Sequence, residues 1–208
     1  MPSLPSDHSR SLELRRSFYP LLLGFMAISF QILILREFEA SLLANELVYG
    51  FVLAFWLLGS SLGSWLVKKK IPARFSPSGL YYSVLILFVI LLAWLRFFRP
   101  LTGYLPAEAA GFLPVLIVSF LISIFLSFPL GALFVANVHW SDGQLLRVYQ
   151  LESLGSAAGG LVVYLFLIPY FSNWQAAAVV MLLISLAMAL ASSSWKTRAT
   201  GFFVCLLA

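Results

Sequence analysis

The sequence predicts an all-α membrane protein, a polytopic bundle of six full transmembrane helices plus the start of a seventh. Three observations predict it. Of the 208 residues, 62% are hydrophobic and only 10% are charged, whereas a soluble domain has roughly a quarter of its residues charged. Mean hydropathy is +0.98. The apolar residues fall in blocks close to the ~20 that a helix needs to cross the hydrocarbon core. So few charges could not cover a soluble surface of this size, and a lipid environment removes that need.

The elements follow in order. Residues 1–17 form a polar leader, and the first span covers residues 18–35. It reads as a retained signal anchor: the leader is long, and Arg36-Glu37 ends the run without a small-x-small cleavage site. The second span covers residues 47–67, the third 80–98, the fourth 112–138, the fifth 148–171 and the sixth 174–193. Together they make one transmembrane domain over residues 18–198. Residues 199–208 begin another apolar run that is too short to cross a bilayer as a helix. The natural polypeptide is expected to continue beyond it.

Lys and Arg in the links give the orientation. With the N-terminus in the cytoplasm, the inner segments hold Arg10, Arg15, Arg16, Lys68, Lys69, Lys70, Arg74, Arg147, Lys196 and Arg198. The outer segments hold only Arg36, Arg96 and Arg99. The net charge of +5 is therefore mainly a topology signal. It points to the lipid bilayer, with anionic headgroups at the cytoplasmic face, rather than to nucleic acid. The single Cys205 excludes an intrachain disulfide. His8 and His139 lie far apart with no nearby Cys partner, so no metal site is readable, and the residues imply no cofactor.

Pro72, Pro77, Pro100, Pro106 and Pro114 sit in links or at span starts, where proline costs little. Pro129 lies inside the fourth span, with Gly131 just after it, and predicts a kink. Either this is a bent packing helix or it is a hinge lining a cavity. Gly59 and Gly63 in "LLGSSLGSWL", and Gly155 and Gly159 in "LGSAAGG", are each four apart and share a helix face. Such faces let another backbone approach closely, which is how membrane helices associate. The topology puts both in the cytoplasmic half, to pack on each other or on neighbouring spans; a moving gate is the alternative. The two motifs fall at different positions along their helices, so they do not align as an inverted repeat.

Charge at membrane depth marks candidate sites. The stretch "LREFEASLLANEL" holds Arg36 and three of the eight acidic residues, Glu37, Glu39 and Glu46. It reads as the first outer link. Arg36 and Glu39 can pair if the helix continues, and Asn45-Glu46 suits the start of the second helix. Glu37 and Glu46 have less obvious partners, so the stretch is a wet link, an ion-paired clamp or part of a cation site. Glu152 enters the fifth span about one turn in. It is either an interfacial acid at a helix start or a buried functional one, with Arg147 or Lys68–Lys70 within reach. Gln31, inside the first span, is expected to hydrogen-bond between helices. Gln31, Glu37, Glu46 and Glu152 are thus the candidates for a ligand or ion route.

Three stretches carry a family resemblance: "YPLLLGFMAISFQILILREF", "ANELVYGFVLAFWLLGSSLGSWL" and "RVYQLESLGSAAGGLVVYL". Their Gln-x4-Arg-Glu, Asn-Glu-Leu, Trp-Leu-x-Gly and Tyr-x2-Glu-x-Leu-Gly-Ser patterns resemble the major-facilitator-like membrane part of bacterial spermidine synthase-like fusion proteins. The likeness covers spans one, two and five; the others match by hydrophobicity only. It implies a place in the bacterial inner membrane and a C-terminal soluble aminopropyltransferase-like domain. That domain would be Rossmann-like, and this chain has no soluble βα pattern with a Gly-rich turn, so no catalytic residue carries over. The first functional reading is a membrane domain that anchors or feeds such an enzyme. The alternatives are a transporter or half-transporter for a small cationic solute, and a structural scaffold subunit.

Overall fold

A computed structural model describes residues 7–42, 46–67, 77–104 and 110–191, without the side chains of residues 7–16, 77 and 191. Asn45, the side chains of Arg10, Arg15 and Arg16, and Lys68, Lys69, Lys70, Arg74, Lys196, Arg198 and residues 199–208 lie outside what it describes. Among the described residues there is helix and no strand. The elements are α1 (Asp7–Leu42), α2 (Glu46–Val67), α3 (Pro77–Thr102), α4 (Phe112–Trp140), α5 (Leu145–Leu161) and α6 (Asn173–Ala191). A π-helical segment, Val162–Leu167, extends α5, with the Ile168 N–H bonded five residues back to the Val163 carbonyl at 2.9 Å. Six of these helical stretches are long and apolar enough to cross a membrane. Helix is the form a single chain segment can take in lipid, because it satisfies every backbone group internally.

Two boundaries differ from the sequence reading. α1 does not stop at residue 35 but runs on to Leu42, so Arg36–Leu42 is helix rather than link. Its last turns are held by side-chain partners on α3 and α6, described below. The fifth span breaks its α-helical register at Val162; a period-based reading cannot see one wide turn in an unbroken apolar run. Pro129 lies inside α4, which continues through it. Pro100, expected in a link, lies in the last turns of α3.

α1 is the central helix and packs against each of the other five. Its inward residues Leu23, Met26, Phe30, Leu33, Ile34 and Phe38 are fully buried. Phe30 stacks flat on Phe88 of α3, with ring centroids 3.9 Å apart. α2 and α5 lie at the edge and present large apolar side chains outward, such as Trp65 at 72% and Leu154 at 62% exposure. In lipid these exposures carry no penalty.

The small-residue motifs do not pack on each other. α2 packs on α4, and α5 packs on α1, and the two interfaces are built alike. Ser64 donates its hydroxyl to the Gly131 carbonyl at 3.0 Å; Ser156 donates to the Gly24 carbonyl at 3.2 Å. Gly63, just before Ser64, lies against the Phe128 carbonyl, and Gly155, just before Ser156, lies against the Leu21 carbonyl. In return Gly131 lies against the Ser60 carbonyl and Gly24 against the Glu152 carbonyl. Residue for residue, α2 and α4 therefore repeat the contact of α5 and α1.

The equivalence maps α1 onto α4 and α2 onto α5. Successive spans alternate in direction, so the α1–α2 pair and the α4–α5 pair are related as inverted copies of one another. The equivalent glycines are the second of one motif, Gly63, and the first of the other, Gly155. That one-turn offset is why the repeat is invisible when the motifs are aligned with each other.

Gly63→Ala and Gly155→Ala each drive a methyl group onto a partner carbonyl oxygen. Each is expected to destabilise the bundle by about 2 kcal/mol or more, the overpacking range. Gly50→Ala adds a methyl with nothing within 4 Å and is expected to be neutral or to gain up to ~1 kcal/mol of helix propensity. Thermal unfolding in detergent, followed by Trp fluorescence, checks this order; equal effects at all three positions would contradict the backbone contact.

Candidate functional site

The hydrogen-bonded charged and amide side chains gather at the two ends of the bundle. At the far end, where α1 finishes, Glu37 is fully buried. Its Oε1 accepts from Ser41 Oγ at 3.1 Å and from Arg96 Nη1 of α3 at 3.3 Å. Its Oε2 accepts from Asn173 Nδ2 of α6 at 2.6 Å, and the same amide donates to the Leu33 carbonyl at 3.1 Å. Three donors, one of them cationic, meet the demand of a carboxylate out of water.

Local structure delivers these partners. Ser41 follows Glu37 by one helical turn and so shares its face. Asn173 is the first residue of α6 but does not cap that helix itself. Ser172 and Gln175 do so reciprocally: the Ser172 N–H donates to Gln175 Oε1 at 3.0 Å and the Gln175 N–H to Ser172 Oγ at 3.4 Å. This is a capping box, and it leaves the Asn173 amide to reach back to α1. Arg99 donates through Nε to the Ser41 carbonyl. Arg36 donates to the Phe171 carbonyl at 3.3 Å rather than pairing with Glu39, which hydrogen-bonds the Tyr49 hydroxyl of α2. Arg36, Arg96 and Arg99 all therefore bond to the end of α1 or to the turn before α6.

At the near end, where α1 starts, Tyr81 of α3 donates its hydroxyl to the Tyr19 carbonyl at 2.7 Å. It accepts from Asn137 Nδ2 of α4 at 2.8 Å. The Tyr19 ring packs on both Tyr81 and Trp140. A tight turn joins α4 to α5, with Asp142 and Gly143 at φ 53° and 77°. These are left-handed conformations that glycine and aspartate tolerate. Glu152 lies on the inward stripe of α5, between buried Val148 and buried Gly155. Arg147 does not pair with it but donates to Ser17 Oγ at 2.9 Å and to Gln144 Oε1 at 3.4 Å.

The four candidate route residues are not brought together. Glu37 is sealed against α3 and α6. Glu46 is exposed in the first turn of α2. Gln31 is half-buried in mid-span, on the same face of α1 as Gly24. Glu152 lies at the opposite end from Glu37. Arg96, Asn173, Tyr81 and Asn137 were not singled out from the sequence. Asn137, an amide near the end of the fourth apolar run, was the one legible signal among them.

No protein-family model, curated protein or solved structure matches the chain. The fold and its apolar helices define the class: the chain is a multi-pass integral membrane domain, a helical bundle embedded in a lipid bilayer.

Arg96→Met leaves Glu37 buried without its cation and is expected to destabilise by about 3 kcal/mol. Glu37→Gln keeps an acceptor for Asn173 and is expected to lose less, about 1–2 kcal/mol. The double variant should lose less than the sum of the two. Thermal unfolding of all four proteins measures that coupling, and strict additivity would mean the ion pair contributes nothing.

Proposed function

We propose that this chain is the membrane anchor of a spermidine synthase-like fusion protein. It sits in a bacterial inner membrane with its N-terminus in the cytoplasm and its basic links against anionic headgroups. There it holds an aminopropyltransferase-like domain at that face. The observation that carries the anchoring role is the separation of the polar groups around α1. A transport route needs polar groups in sequence along one wall, yet Glu37 is closed off on one side of α1 while Gln31 and Glu152 lie on another. The residues behind the family likeness support the same reading. Glu37, Gly59, Gly155 and Ser156 all make contacts that hold helices together. The inverted repeat also favours kinship with half of a major-facilitator-like bundle, which keeps transport of a small cation as the second reading. The glycine faces are occupied within the chain, which weighs against their use as a scaffold interface.

Two measurements test the proposal. The intact mass of the native gene product, taken from its own membranes, is expected to be about one and a half to two times the 23.1 kDa of this chain or more, as a further domain of 100–200 residues or somewhat larger requires. Liposomes containing residues 1–208 are expected to take up labelled putrescine or spermidine no faster than empty liposomes. A native mass near 23.1 kDa would remove the fusion reading. Uptake abolished by Glu152→Gln would replace anchoring with transport.

A further inference from the structure

We propose that this chain self-associates in the membrane, with Gln31 of one copy hydrogen-bonded to Gln31 of a second copy. The argument starts from a missing hydrogen bond. The first span runs from Ser17 to Leu42, and Gln31 lies near its middle. A carboxamide at that depth is expected to bond to another helix. Among the described residues Gln31 hydrogen-bonds to nothing. The other described carboxamides lie toward the helix ends: Asn137, Gln144 and Gln150 at the near end, Asn173 and Gln175 at the far end. Water at the membrane surface can reach those ends. The bilayer core holds none, so an amide left unpaired at mid-span costs free energy.

The direction of the side chain shows where a partner can come from. Gln31 is half-buried, so part of it reaches the outside of the bundle. At 3.6 residues per turn it lies about 100° around α1 from Phe30 and about 120° from Glu37. Phe30 stacks on α3, and Glu37 is held by α3 and α6. Gln31 therefore points away from both of those helices. One turn below it, Ile28 meets Gly159 and Gly160 of α5. Above that level α5 passes into the π-helical segment, which packs on α6. The amide is thus left beside the seam between α1 and α5 with one side open.

A second copy of the chain fits that opening. A carboxamide carries both donors and acceptors, so it is complementary to itself. The charges in the links give every copy the same orientation in the bilayer. The closed arrangement of two such copies is a twofold axis along the bilayer normal, across which a residue meets its own counterpart at the same depth. Two N–H···O bonds then close between the Gln31 side chains. An acyl chain has neither donor nor acceptor, so lipid at this place leaves the amide unpaired. The contact leaves Gly59, Gly63, Gly155 and Gly159 in the seams they fill within the chain. It stands whether or not the anchoring role does.

The test uses the full chain in liposomes, with Cys205→Ser as the background so that an introduced cysteine is the only one. Gln31→Cys is expected to form a disulfide-linked dimer on mild oxidation, and faster than Ile90→Cys. Ile90 is the control, a residue 58% exposed on the middle of the α3 span. Single-molecule photobleaching at falling protein-to-lipid ratios gives the dimer dissociation constant. Gln31→Leu is expected to raise it by roughly five- to thirtyfold, the worth of an interhelical hydrogen bond, and Gln31→Asn to raise it less. A chain that stays monomeric at every ratio overturns the proposal. So does a dimer whose dissociation constant is unmoved by Gln31→Leu, or a disulfide at position 31 that forms no faster than the one at position 90. If Gln31→Leu fails to fold, the two disulfide rates decide.

Discussion

Backbone-to-backbone contact between glycine-bearing helices is the constraint on which the rest of this bundle depends. In lipid, helices gain nothing by hiding apolar surface from one another, so close approach and short polar contacts must hold them. Gly24 against Glu152 and Ser156, and Gly131 against Ser60, let helices touch through their main chains. Ser156 and Ser64 then hydrogen-bond the glycine carbonyls across each seam. Because α1 takes part in one of these seams and touches every other helix, the placement of the remaining four spans follows from it. The depth of Glu152 follows too, since its own backbone is part of the contact.

The two ends solve the same problem in different ways. At the far end a buried carboxylate is fully served: Ser41, Arg96 and Asn173 all donate to Glu37. Charge there is structural, binding the end of α1 to α3 and α6. At the near end the hydrogen bonds run in one direction, from Asn137 to Tyr81 to Tyr19, and leave Asn137 Oδ1 without a donor. A polar network that is fully satisfied rigidifies, while an unpaired buried polar atom costs stability. Glu37 thus acquires its structural character from the company that folding gives it.

Local hydrogen bonding explains where three of the arginines lie. Arg36, Arg96 and Arg99 are the exceptions to an otherwise strong bias of basic residues toward one side of the spans. Each bonds a carboxylate or a carbonyl at the end of α1 or in the turn leading to α6. They are held by local hydrogen bonding, so they do not weaken the orientation argued from the remaining ten basic residues.

The sequence by itself determined the class and the number of spans, because hydrophobic length is a local property that bilayer thickness reads directly. It also marked Gly59, Gly63, Gly155 and Gly159 as contact faces, because residue size at helical spacing is local as well. Tertiary structure alone decided which helices those faces meet, and that the matching glycines are Gly63 and Gly155. It also showed that Arg36–Leu42 is helix rather than link. Each of these turns on a partner distant in the chain: Gly131 for Gly63, Leu21 for Gly155, Asn173 and Arg96 for Glu37. Whether Glu37 or Glu152 is satisfied depends on donors from other helices. A carboxylate in a sequence carries no mark of what will face it.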